Sequence, residues 1–305
     1  MTDFSRFPRR AGLILGMTGL LLGSAAAPAQ TQSDNTGPGT SSGTTDSGAG
    51  AHSIGTTTVS PDSTPPYADP HPLLHDIEAY YTSPLHWDGK DWAYFGGALA
   101  LLAASHHYDT QVRTHFIAEG YTKPLGGSTD DLKDALPMIG AVVGTWAYAN
   151  MINSEDGLHE TWNMVEAGGL SVVDSYALKI VAGRERPDQT SDPNEWRKSG
   201  SSFPSIHAAA AFAIGTVLAE SGNDDYRIVR RFLGYGAVAA FTAFERLKHN
   251  AHWLSDDVAG AEIGGATGHF VLERAEERRE ARNNYSFSLV PVEGGAMLTY
   301  NLTIQ

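Results

Sequence analysis

The sequence predicts an all-α helical bundle closed by a short C-terminal β-hairpin. Three observations carry this. With 305 residues and 41% hydrophobic content, the chain has enough apolar side chain to bury a full core. Between residues 67 and 282, apolar residues recur at helical spacing in stretches separated by Gly, Pro, Asn and Asp clusters. Beyond residue 282 the period drops from 3.6 to 2.

The chain opens with Arg6, Arg9 and Arg10 ahead of the apolar run Ala11 to Leu22, followed by Ala27-Pro28-Ala29. That order is a secretory signal peptide over residues 1–29, with a mature chain from about Gln30 and an exported, periplasmic or extracellular location. The apolar run is too short for a spanning helix, which needs roughly 20 residues. Arg9-Arg10 fits a twin-arginine signal only loosely. Removing three arginines and one aspartate with the signal leaves 18 basic against 34 acidic residues. Such a balance excludes a nucleic-acid partner and simple adhesion to an anionic membrane. The chain has no cysteine, so the exported fold rests on its own packing. Residues 30–66 are a spacer, with 26 of 37 positions Gly, Ser, Thr or Pro.

Helices are expected over Leu73 to Tyr81, Lys90 to His107, Asp130 to Ile152, Leu158 to Gly183, Ser205 to Glu220, Asp225 to Lys248 and His252 to Arg282. Within the third, Met138 to Ile152 is nearly uncharged, and Trp146, Tyr148 and Asn150 suit a buried central helix better than a membrane span. Contact of the bundle's outer face with a membrane stays open. At the end, Tyr285, Phe287 and Leu289 alternate with polar residues, as do Leu298, Tyr300, Leu302 and Ile304 across a Glu293-Gly294-Gly295 turn. This is the hairpin, residues 283–305.

Chemistry concentrates in three stretches. Arg246 precedes His252 by six residues, and Asp256 follows it by four. On one helix, His252 and Asp256 would lie on neighbouring turns, so the carboxylate could accept one imidazole proton and leave the other nitrogen free to attack. Lys179 and Arg186 are seven apart, two turns of one face, with Pro187 ending the helix at Arg186. Ser205 in Phe203-Pro204-Ser205-Ile206-His207 is a good N-cap, and free amides at a helix N-terminus bind phosphate readily. His207 stands at the rim of that end as a proton donor. Each stretch alone is read more readily as an ordinary solvated helix surface. His75, His86, His106, His107, His115 and His159 lack a partner pattern and default to structural or solvated roles, and Glu273 to Arg282 is a solvated face.

Together, Lys-x6-Arg-Pro at 179–187, Pro-Ser-x-His at 204–207 and Arg-x5-His-x3-Asp at 246–256 resemble the three-part signature of the type 2 phosphatidic acid phosphatase superfamily. That superfamily also holds bacterial class A acid phosphatases and vanadium haloperoxidases. The resemblance implies a helical phosphatase domain over 67–282 that hydrolyses phosphate monoesters, of lipids or small soluble molecules, through a phosphohistidine. It implies His252 as nucleophile, Asp256 as its orienting carboxylate, and His207 as acid and base. Lys179, Arg186, Ser205, Ile206 and Arg246 would hold the phosphate. Two positions depart from the family pattern: Ile206 replaces the usual glycine and Glu245 the usual serine. No cofactor is expected, vanadate entering only for a haloperoxidase. No metal is expected either, because His249 and His252 lack further ligands at metal spacing. A phosphate-binding envelope module without catalysis is the alternative of another class. Substrate identity and oligomeric state are left open.

Overall fold

The computed structural model describes residues 70–121, 131–222, 224–292 and 295–302. The expected signal peptide and the spacer lie outside the described residues. Helices α1 (Pro70–Thr82), α2 (Gly89–His107), α3 (Asp109–Ala118), α4 (Asp131–Met151), α5 (Glu155–Ala182), α6 (Ile206–Glu220), α7 (Arg227–Arg231), α8 (Phe241–Lys248) and α9 (Leu254–Asn284) follow in order. A π-helical stretch, Phe232–Ala240, joins α7 to α8. Helix α3 has no counterpart among the expected helices.

The centre of the bundle is α6. Its sequence, Ile-His-Ala-Ala-Ala-Ala-Phe-Ala-Ile-Gly-Thr-Val-Leu-Ala-Glu, is apolar on every side, and Ala208, Ala209, Ala211, Ala213 and Val217 have no exposed surface. Burying a side chain such as Val217 is worth roughly 1.5–3 kcal/mol. Small residues let neighbours approach closely. Gly215 faces Gly234 of the π-helical stretch, where a Cβ on Gly234 would lie 2.2 Å from the Gly215 carbonyl oxygen. Along α9, Gly260, Gly264 and Gly268 lie four apart, against Ser205, Ala209 and Thr216. On the remaining side, α4 and α5 pack against α6 through Met138, Met164 and Leu170.

Placing the central helix at Met138 to Ile152 is therefore corrected. In α4, Trp146 is 53% and Tyr148 62% exposed, because only small or thin side chains tolerate neighbours on all sides and α6 supplies them. Large apolar residues face outward elsewhere too, including Leu99 on α2, Ile139 and Val143 on α4, and Tyr176, Ile180 and Val181 on α5. No helix among the described residues is long and apolar enough to cross a membrane.

Among the described residues, those up to Glu280 belong to one compact unit and those from Ala281 onward to a second. In the second, β1 (Tyr285–Val292) and β2 (Gly295–Leu302) pair antiparallel, Tyr285 opposite Leu302 and Val292 opposite Gly295.

Candidate active site

Helix α5 carries Lys179 in its last turn and ends at Ala182, where Gly183 adopts the left-handed conformation (φ 52°) and its N–H bonds the Lys179 carbonyl. The chain leaves the helix four residues before Pro187. Arg186 thus sits in the following loop, not two turns along the face of Lys179, which corrects the helical reading of that pair.

Ser205 is the N-cap of α6, as its sequence position predicts, accepting a hydrogen bond from the Ala208 N–H at 3.3 Å. Ile206 and His207 are the first two helical residues, both half-buried. Their amides belong to the unsatisfied first turn, where the helix dipole favours an anion.

The third stretch also departs from its expected geometry. Helix α8 stops at Lys248, Asn250 turns into the left-handed region (φ 56°), and α9 begins at Leu254. His252 lies two residues before that helix, so it does not share a helix face with Asp256. Its Nδ1 is 3.6 Å from Asp256 Oδ2 and makes no hydrogen bond. Instead, Asp256 Oδ2 accepts the Trp253 N–H at 2.9 Å and the Ser202 hydroxyl, while Oδ1 accepts from Arg184 at 2.6 Å.

The three stretches nevertheless converge. The Ser205 N–H donates to the Asp256 carbonyl at 3.0 Å, tying the N-termini of α6 and α9 together. Lys179 Nζ donates to the Ser201 and Ser202 carbonyls at 2.6 and 3.1 Å. Trp253 Nε1 donates to the Glu185 carbonyl at 2.9 Å, and Asn250 Nδ2 to that of Pro187 at 3.1 Å.

Electrostatics follow from this gathering. His252 is 4% exposed, and its pKa lies well below the ordinary imidazole value, from burial first and then from the charges of Arg246, Lys179, Arg186 and His207. The imidazole is neutral at neutral pH, with its lone pair available. Lys179 is pushed down to about 8 by burial, then by Arg186, with Asp256 opposing. Burial raises Asp257 well above the usual carboxylate range, against the Ser205 hydroxyl, which lowers it. A buried neutral imidazole among cations, beside a capped helix end, is suited to attack on a tetrahedral anion.

Three residues that the motifs did not single out hold this site. Arg184 is fully buried, bonded to Asp256, Ser255, the Pro193 carbonyl and Asp109, and stacked 4.5 Å from the Trp196 ring centre. Asp109, at the start of α3, accepts from Arg184, from His106 and from the N–H and hydroxyl of Ser255. Asp134 of α4 accepts from Arg246 Nη1 at 2.7 Å. The one sequence signal was the His106-x-x-Asp109 spacing, which also gives His106 a structural partner. Of the two departures from the family pattern, Ile206 opens α6, and the Glu245 carboxylate is engaged by Lys248 at 3.1 Å.

The PAP2 superfamily pattern matches residues 160–280, from α5 to α9. Residues 160–280 are a PAP2 superfamily domain. A lipid A 1-phosphatase from Porphyromonas gingivalis is 34% identical over 116 residues, 36% of this chain. The matched stretch spans 22% of that relative's length. No solved structure matches the chain. The PAP2 domain contains every residue of the three motifs, while Asp109 and Asp134 reach it from helices outside the matched range.

Proposed function

We propose that the PAP2 domain hydrolyses phosphate monoesters of lipids through a phosphohistidine on His252. The observation that carries this reading is the buried, neutral His252 imidazole under the combined field of Lys179, Arg186 and Arg246, with His207 beside them. His252 Nε2, the nitrogen turned from Asp256, attacks phosphorus in line, and the ester P–O bond breaks. His207 gives its proton to the leaving alkoxide and then takes one from the water that cleaves the P–N bond, releasing phosphate. Lys179, Arg186, Arg246 and the first-turn amides from Ser205 onward hold the equatorial oxygens, where a metal ion serves in other phosphoryl-transfer sites. Asp256 moves toward His252 as positive charge develops on the ring, since catalytic hydrogen bonds are often long before substrate binds.

Two observations support a lipid ester over a small soluble one. The similar protein is named a lipid A 1-phosphatase. Ile180 and Val181, next to Lys179 in the chain, are 68% and 76% exposed, leaving apolar surface close to the phosphate cations for an acyl chain. With residues 1–29 read as a signal peptide, the reaction takes place outside the cytoplasm, at the membrane that presents such a substrate.

Phosphate release from a lipid A fragment, phosphatidic acid, an isoprenyl pyrophosphate and a nucleotide monophosphate tests the reading. The lipid monoesters should be the better substrates, and His252→Ala should reduce release by on the order of 10⁴-fold or more with the helical circular dichroism intact. A folded His252→Ala protein as active as the wild type would end it.

A further inference from the structure

Outside the motif residues, one cluster has the composition and spacing of a cation site. Asp134 of α4, Glu245 of α8 and His249 just after α8 each offer one ligand atom, all within 4.8 Å of one another. They line a cavity of about 300 Å³ together with Lys133, Phe241 and Thr242. His249 Nδ1 stands 3.4 Å from Asp134 Oδ1, and His249 Nε2 stands 3.6 Å from Glu245 Oε2. Only one ring nitrogen can ligate a given ion; Asp134 Oδ1 stands from Nδ1 at the separation of about 3.4 Å that a tetrahedral ion with ligands near 2.1 Å gives its ligand atoms, and the Glu245 carboxylate must turn toward that nitrogen to complete the set. A charged imidazolium bridging two carboxylates would instead close at least one contact to hydrogen-bond length, yet Nδ1 is buried without a hydrogen bond.

A second observation is independent of the three ligands. Thr242 has no exposed surface, lines the same cavity, and its hydroxyl oxygen has no hydrogen-bond partner. A buried hydroxyl in that state costs about 1–3 kcal/mol. A water carried by a cation in the cavity would satisfy it.

We propose that Asp134, Glu245 and His249 bind a divalent cation of the zinc class, in a site separate from the phosphate site and joined to it through Asp134. One nitrogen with two carboxylate oxygens is a donor set for zinc-like ions, whereas magnesium and calcium prefer oxygen alone. Asp134 can serve both sites because it has two oxygens: Oδ2 takes Arg246 Nη1 at 2.7 Å, and Oδ1 faces His249. Glu245 is at present engaged by Lys248 Nζ, 3.1 Å from each carboxylate oxygen, and that flexible, half-buried ammonium must swing away on binding. Competition of this kind makes the site reversible, unlike a closed structural zinc centre. Glu245 is also a position at which the chain departs from the pattern of the family it resembles, so the site belongs to this chain and not to the shared chemistry.

The test needs no phosphatase assay and is independent of the reading above. Tag-free, chelator-stripped full-length protein is titrated with zinc chloride by calorimetry. One ion per chain should bind in the micromolar range, and magnesium should not compete. His249→Ala and Glu245→Gln should each weaken binding by roughly tenfold or more and abolish the zinc-induced rise in Tm. His106→Ala, which alters another histidine-carboxylate pair, should bind zinc as the wild type does. Circular dichroism confirms that each variant is folded. Absence of binding by the wild type, unchanged affinity in His249→Ala and Glu245→Gln, or a loss of affinity in His106→Ala instead overturns the proposal.

Discussion

Arg184 Nη1 donates to Asp256 Oδ1 at 2.6 Å, and neither side chain is exposed to solvent. Arg184 Nη2 reaches Asp109 at 2.7 Å, so one guanidinium joins the loop after α5, the start of α3 and the first turn of α9. This cation carries the architecture of the site, whereas Lys179, Arg186 and Arg246 are placed around His252.

Removing that cation leaves two buried carboxylates uncompensated. Arg184→Ala should cost about 3–5 kcal/mol of unfolding free energy, read from the midpoint and slope of urea denaturation. Arg184→Lys should recover only part, because an ammonium keeps the charge but not the planar fork that serves both Asp109 and Asp256. A loss under about 1 kcal/mol in the alanine variant would show that the pair is solvated.

Activity should fall on the alkaline side, and the sign follows from Lys179. Its pKa is pushed down to about 8, so the charged form prevails below that pH and the phosphate site loses a cation as pH rises through it. The ratio kcat/KM, which reports the free enzyme, should therefore decline above about pH 8. Lys179→Arg should carry the decline to higher pH, since a guanidinium stays charged throughout the range. His252 is held well below the ordinary imidazole value, so the nucleophile stays unprotonated into mildly acidic solution. A pH profile unchanged by Lys179→Arg would remove the lysine from phosphate binding.

Two adjacent glycines of α9 should behave oppositely. A Cβ on Gly264 would lie 2.1 Å from the Ala209 carbonyl oxygen and 2.8 Å from the Ala213 nitrogen, backbone atoms that cannot yield without moving α6. Gly264→Ala should destabilise by about 3 kcal/mol or more. Gly265 meets nothing within 4 Å, and Gly265→Ala should stabilise by roughly 0.5–1 kcal/mol through helix propensity. Thermal unfolding of the two variants side by side distinguishes them.

What could be read from the sequence was local. Ser205 as N-cap, the start of α6 and the end of the chain's helical patterning, expected at Arg282 and found at Asn284, follow from residue types within a few positions. Convergence of the three motifs followed from their resemblance to a known signature. The carboxylate partners of Arg184 are 72 and 75 residues away, and Asp134 is 112 from Arg246, distances at which neither spacing nor periodicity gives a signal. The relation of His252 to Asp256 was misjudged for a local reason: a spacing of four places residues on one face only if the helix is continuous, and Asn250 in the left-handed region interrupts it. His249 and His252 are read as lacking further ligands at metal spacing, a reading made without Asp134, which approaches His249 from another helix.

Gly183 separates two tasks that one continuous helix could not perform. With α5 halted there, the helix is a rigid strut whose length fixes where Lys179 stands. The next four residues are freed to bend as a strap, taking Arg184 inward to the carboxylates and leaving Arg186 among the cations that act on His252. A side chain at 183 would meet the Arg197 backbone at 3.3 Å in a conformation it rarely adopts, so the strap would lengthen the strut instead, and the two arginines would point to different sides of it.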